Sequence, residues 1–143
     1  MSEQELNLSP TRPYMARAIY EWICDNQLTP YLLVDATQPN TMVPEQFIQD
    51  GQITLNLVPH AVHALNMSND AITFSARFGG VSRDLYVPFS AVLGSRVNAS
   101  YLAVYGPNDA MTERLERDFG FEKITPYGYR HDGNAPLYRA VSD

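Results

Sequence analysis

The sequence predicts a mostly β fold with one N-terminal α-helix: a small, curved, mostly antiparallel sheet or half-barrel with the helix packed on it. Three observations carry this. A stretch with apolar residues at helical spacing lies between Thr11 and Asn26. Behind it come short apolar runs of strand length at close intervals, separated by Pro, Gly, Asn and Asp. The 143 residues suffice for one domain with a real core and are too few for two sizeable ones.

Residues 1–10 are polar and expected to be flexible. Thr11-Arg12-Pro13 reads as a helix start, because the missing N–H of proline costs nothing in a first turn. The helix is predicted over Pro13 to about Asn26, with Met15, Ala18, Ile19 and Trp22 in one stripe. Tyr14 and Tyr20 widen that apolar surface. A helix apolar on more than one side can pack against both its own sheet and a second copy; covering one sheet is the simpler alternative. Asn26 is expected in the left-handed position that ends the helix, and Pro30 prevents a restart.

Tyr31 to Ala36 is a nearly continuous apolar run, hence a buried strand, and the loop to Glu45 carries Pro39, Asn40 and Pro44. Asp50-Gly51 signals a hairpin turn into a strand from Gln52 to Val58, with Ile53, Leu55 and Leu57 inward and Pro59 as its stop. His60 to Met67 reads as a connection containing one helical turn. Ala71 to Phe78 then alternates strictly: Ile72, Phe74, Ala76 and Phe78 share one face, and Thr73, Ser75 and Arg77 the other. It ends in Gly79-Gly80, which suits a hairpin turn or the close approach of another backbone, such as an extended peptide. Asp84 to Pro88 reads as a short strand, and Phe89 to Leu93 as a turn of helix. Further on, Tyr101 to Tyr105 suits a strand, Asn108 or Asp109 a cap for a helix through Phe119, and Tyr127 to Pro136 an irregular segment.

Composition narrows the function classes. Net charge is −6, and residues 1–94 carry nine acids against four arginines. That opposes broad phosphate-backbone binding, which needs clustered Lys and Arg. The single cysteine, Cys24, cannot form an internal disulfide, which suits the cytoplasm. No apolar run reaches the length of a membrane span. His60 and His63 stand three apart, yet no carboxylate or thiol sits beside them at ligand spacing, so a solvated turn is expected rather than a metal site. Cys24 has no cationic neighbour in sequence and reads as structural rather than nucleophilic. With no phosphate loop and no nucleophile elbow, neither a cofactor nor an enzyme is expected.

One set of fragments says more. Arg12-Pro13-Tyr14, Tyr20-Glu21-Trp22, Asp25 through Pro30, Asp50 through Ile53, Leu55-Asn56 and Ala76 through Gly80 occur in order. Over residues 1–93 the chain resembles the stringent starvation protein B family (SspB), bacterial adaptors that deliver ssrA-tagged proteins to the ClpX–ClpP protease. The resemblance implies an Sm-like half-barrel and a homodimer joined through the N-terminal helix, with Tyr14, Met15, Ala18, Ile19 and Trp22 at the interface. It also implies a groove for an extended tag, lined by Leu57, Val58, Pro59, Ser75, Ala76, Arg77, Phe78, Gly79 and Gly80. In that groove Ala76 and Gly79 let peptide backbone come close, Phe78 offers an apolar wall, and Arg77 can pair with an acidic tag residue.

The resemblance stops at Gly94. Residues 95–143 form an atypical tail that lacks the acidic run and the basic-apolar end with which the family docks on ClpX. Two readings of it stand: a change of frame near Gly94, or a divergent tail with its own strand and helix. An Sm-like nucleic-acid-binding module is the alternative function, by fold analogy alone, and the absence of lysine before Lys123 counts against it. A small enzyme built on His60, His63 or Cys24 is a third, without a supporting constellation.

Overall fold

The computed structural model describes residues 8–97, 101–103, 116–117, 121–123, 128–131 and 140–141. Helix α1 spans Arg12–Asp25 and carries Pro13 in its first turn, as its sequence demands. Its end is one residue later than expected. Asn26 stays at φ −88°, while Gln27 takes the left-handed position at φ 61°. The Asn26 side-chain amide donates to the Trp22 carbonyl at 2.8 Å and so holds Asn26 on the helical side. Gln27 N–H then donates to Cys24 O at 3.0 Å and Leu28 N–H to Ile23 O at 3.1 Å, the paired bonds of a Schellman end.

The strands among the described residues are β1 (Tyr31–Asp35), β2 (Gln52–Asn56), β3 (Val62–Met67), β4 (Ala71–Phe78), β5 (Val81–Pro88), β6 (Val92–Arg96), β7 (Tyr101–Ala103), β8 (Phe121–Lys123), β9 (Gly128–His131) and β10 (Ala140–Val141). Between residues 31 and 96 they form two three-stranded antiparallel sheets, β2-β1-β6 and β3-β4-β5. Strands β7, β9 and β8 continue the first sheet beyond β6, and β10 joins β2 in parallel. The layout is mostly β with one N-terminal helix, and among the described residues no barrel closes.

The two sheets share a core. Leu32, Val34, Ile53, Leu55 and Val92 of the first meet Ile72, Phe74, Phe78, Leu85 and Val87 of the second, with Ala16 of α1 packed among them. Ile53, Leu55 and Leu57 are inward as their spacing requires, but Gln52 and Thr54, which alternation turns toward water, are buried as well. The first sheet is therefore covered on both faces. Buried Asp35 accepts from the Thr37 N–H at 3.0 Å, the Thr37 hydroxyl at 2.6 Å and the Gln38 amide at 3.0 Å, which satisfies its carboxylate.

Both hairpin turns follow their sequences. Asp50 (φ 52°) and Gly51 (φ 76°) join Gln49 to Gln52 through reciprocal backbone bonds of 2.8 and 2.9 Å. Gly79 (φ 60°) and Gly80 (φ 79°) join Phe78 to Val81. Two consecutive positive φ values mark the type I′ turn, whose twist matches antiparallel strands.

Four expectations are corrected. His60 to Met67 is not a helical turn, since β3 fills most of it; β5 begins at Val81 rather than Asp84; β6 follows a short 3-10 turn at Phe89–Ala91; and Gly128–His131 is a strand. The strand expected from Tyr101 is present over Tyr101–Ala103, and residues 104–105 lie outside the described residues. Apart from residues 116–117, the expected helix through Phe119 lies outside the described residues, as do residues 1–7, Tyr127, Gly133 and Pro136. Among the described residues no helix is long and apolar enough to cross a membrane.

Candidate functional site

The second sheet keeps one face toward water. Its register sets His63 opposite Ser75 and Ser75 opposite Asp84, with Arg77 opposite Ser82 in the next exposed row. Residues facing each other across antiparallel strands share a face, so these five side chains form a polar surface above the buried Phe74, Ala76 and Phe78. The Ser75 hydroxyl donates to Asp84 Oδ1 at 2.5 Å. Beside this surface lies an open hollow of about 480 Å³. Ser75, Ala76 and Arg77 of β4 with Ser82 of β5 make one wall, and His60 to His63 make the other.

The histidine wall owes its shape to two local features. Pro59 sits in a tight turn that Ala61 N–H closes on Val58 O at 2.9 Å. In β3, three steps from His63 to Asn66 match two steps from Ser75 to Thr73, which is a β-bulge. Ala64 absorbs the extra residue at φ 56°. A left-handed alanine costs about 1–2 kcal/mol, and bulges of this kind re-aim side chains at sheet edges.

The tag-groove residues expected from the sequence fall into three groups. Ser75, Ala76 and Arg77 come together in the hollow. Phe78 departs from the expected apolar wall: it is 3% exposed, and its ring packs inward with its centroid 6.0 Å from that of Phe47. Alternation places it with Ile72 and Phe74, on the core side. Gly79 and Gly80 are exposed, and a Cβ at either would meet nothing within 4 Å. Their positive φ, not a close approach within this chain, accounts for glycine there.

Leu57, Val58 and Pro59 are not among the residues that line this hollow. Leu57 is buried, donating its N–H to Pro30 O at 2.8 Å and accepting at its carbonyl from the Tyr20 hydroxyl at 3.0 Å. Burial, and then the adjacent Cys24 thiol, push the Tyr20 phenol up to about 12, so it remains a protonated donor at neutral pH. Val58 N–H donates to Asn56 Oδ1 at 2.9 Å. Pro59 lines a separate hollow beside α1, with Arg17, Tyr20, Glu21, Cys24, Leu65 and Met67. The sequence reading missed His60, His63 and Ser82 as site residues. The spacing of His60 and His63 singles them out only as a possible metal pair, because the bulge and the cross-strand register, not the local sequence, bring His63 opposite Ser75.

Helix α1 shows a second surface. Tyr14 (52% exposed), Ala18 and Trp22 (55%) stand four residues apart on its outer side, where the Arg17 guanidinium lies 4.5 Å from the centre of the Tyr14 ring. Met15 and Ile19, grouped with them by sequence, pack partly against their own core. Among the described residues no cluster of three or more His, Cys, Asp or Glu side chains could hold a metal ion.

The family model described as stringent starvation protein B matches residues 10–99. The match runs past Gly94, where the sequence resemblance was expected to stop, and so takes in all of β6. A Haemophilus influenzae protein named stringent starvation protein B homolog is 53% identical over 89 residues, covering 62% of this chain. The chain spans 59% of that relative's length.

Proposed function

Because the chain belongs to the stringent starvation protein B family, we propose that its body is a non-catalytic, cytoplasmic adaptor. It holds ssrA-tagged polypeptides in extended form and delivers them to the ClpXP protease. The observation that carries this reading is the open hollow on the water-facing side of the second sheet, where Ser75, Ala76 and Arg77 lie along one strand. An extended peptide is recognised where alternate side chains of a strand are free to meet it. Arg77 is exposed and able to pair with an acidic tag residue. The exposed Tyr14, Ala18 and Trp22 of α1 suit a second copy, and a dimer would carry two grooves and raise the local concentration of substrate.

Fluorescence anisotropy of a labelled ssrA peptide tests the reading. Saturable binding by the wild type, weakened at least about tenfold by Arg77→Glu, is the expected result. Arg77 is the better position to change because Ala76 is only 7% exposed, so a large residue there disturbs folding as well as binding. A well-folded wild type without saturable binding overturns the proposal. Sedimentation tests the dimer: Trp22→Ala is expected to shift the chain toward monomer, and an undiminished dimer removes α1 from the interface.

A further inference from the structure

We propose that the outer edge of β5 is a second peptide site, separate from the tag hollow, which adds a short extended segment as a further antiparallel strand and selects a basic residue followed by an acidic one. The inference is independent of the adaptor reading. Strand β5 is the last of its sheet. Among the described residues its outer side is met only at Tyr86, where Met42 N–H donates to Tyr86 O at 2.8 Å and Tyr86 N–H to Met42 O at 3.1 Å. Backbone groups along a strand point alternately to either side, so those of Ser82 and Asp84 face the same way as those of Tyr86. Within the described residues no hydrogen bond reaches them there. Continuing the Met42 pairing would set Pro44 opposite Asp84. Proline has no N–H to donate, and the chain turns off into a 3-10 turn at Glu45–Phe47. The two chains part around a hollow of about 340 Å³, whose lining includes Thr41, Pro44, Glu45, Ile48, Arg83 and Asp84. The Thr41 hydroxyl is buried there without a partner.

An open edge holds a strand through its backbone groups and chooses among strands by side chain. A second copy of β5 is a poor occupant. Laid antiparallel with Ser82 opposite Asp84 of that copy, it sets Arg83 against Arg83; with Asp84 opposite Asp84, it sets two carboxylates together. Like charges directly opposite repel. With Ser82 opposite Ser82, Asp84 runs into the turn of the second copy at Gly80, whose φ of 79° is not extended. A foreign segment escapes these conflicts. Its residue facing Asp84 lies on the water side of the sheet, and the next one faces Arg83 on the other side. A basic side chain at the first place and an acidic one at the second complement both charges. Arg83 and Asp84 are exposed, and Asp84 Oδ1 alone is engaged, by the Ser75 hydroxyl. Val81, 55% exposed at the far end, offers an apolar contact. Antiparallel is the direction that Met42 already sets. The tag hollow shares only Ser82 with this edge, so the two peptides do not compete.

The test is anisotropy with an N-acetylated Lys-Glu-Thr-Val-Gly-Gly peptide labelled at its C-terminus. Its Lys faces Asp84, its Glu faces Arg83 and its Thr faces Ser82. Saturable binding with a Kd at or below about 1 mM is expected. N-methylation of the Lys removes the N–H that pairs with Asp84 and is expected to weaken binding at least about tenfold; N-methylation of the Glu, whose N–H points away from β5, is expected to leave it. Arg83→Glu is expected to weaken binding roughly three- to tenfold, and a peptide with Lys in place of Glu to regain it; circular dichroism confirms the fold of the variant. Excess unlabelled ssrA peptide is expected not to displace the probe. No saturation by the folded protein, equal effects of the two methyl groups, or displacement by the ssrA peptide each overturn the second site and leave the adaptor reading standing. Protection of the Ser82 and Asp84 amides from hydrogen exchange that grows with protein concentration alone also overturns it, by giving the edge to a second copy.

Discussion

The two sheets differ in how much of them the fold covers. In β2 the residues from Gln52 to Leu55 are all buried, and so is the whole of β6, Arg96 included. In β5 the four residues from Val81 to Asp84 are exposed, and only Leu85 and Val87 are fully buried. An antiparallel sheet can leave one face to water, and the second sheet uses that freedom to display His63, Ser75, Arg77, Ser82 and Asp84. The first sheet, packed on both sides, has no such face to offer. The first sheet is thus sealed on both faces and the second keeps one polar face open, while both contribute to one apolar core.

This contrast can be broken most directly at Leu33, which is fully buried but lies outside the shared core cluster. Leu33→Ala is expected to cost about 2–5 kcal/mol, measured by urea unfolding. A loss below about 1 kcal/mol would mean that the second face of the first sheet is not packed as described. The two hairpins sharpen the comparison. Gly51 and Gly79 are both left-handed, but a Cβ on Gly51 would lie 2.8 Å from Thr37 Cγ2, and one on Gly79 meets nothing. Gly79→Ala is expected to lose only the backbone cost of about 1–2 kcal/mol, and Gly51→Ala measurably more. Equal losses would show that Thr37 yields without cost.

A smaller effect is expected where the helix meets Leu57. The Tyr20 phenol is pushed up to about 12 by burial and then by Cys24. Its unfolded counterpart ionises first, near its ordinary value of 10.0, so between these values the folded state holds the more protons. Tyr20 therefore contributes stability that is present below pH 10 and lost as pH rises toward 12. Unfolding midpoints of the wild type are expected to fall more steeply over this range than those of Tyr20→Phe; parallel curves would remove the role of burial at Tyr20. The smallest effect is a gain. Ala64→Gly relieves the left-handed alanine and is expected to stabilise the fold by up to about 1 kcal/mol, because glycine accepts that φ freely. A destabilised variant would show that the Ala64 methyl makes contacts worth more than its strain.

Much of this was legible in the sequence wherever a local rule applied. The alternation from Ile72 to Phe78 predicted β4 and its buried face, and that same alternation opposed the reading of Phe78 as a groove wall. Asp50-Gly51 and Gly79-Gly80 announced their turns. The strand β3 was illegible because its inward residues Val62, Leu65 and Met67 are spaced three and then two apart: the bulge at Ala64 breaks the period by which a strand is recognised. The burial of Gln52 and Thr54 was illegible for another reason. Alternation shows which face is apolar, but not whether something also covers the polar one. Of the residues that line the hollow, the sequence reading marks Ser75, Ala76 and Arg77 for the tag groove, and takes His60 and His63 as a solvated turn.

By itself, then, the sequence determined the helix, the left-handed turns, the alternating β4 and the acidity of the body, because each depends on the φ preference, period or charge of neighbouring residues. Tertiary structure alone decided that β6 and β2 are buried on both faces, that Tyr20 reaches the Leu57 carbonyl, and that His63, Ser75 and Asp84 form one row. Those facts depend on pairing between residues far apart in the chain. A shift of one residue in that register would move every side chain to the opposite face.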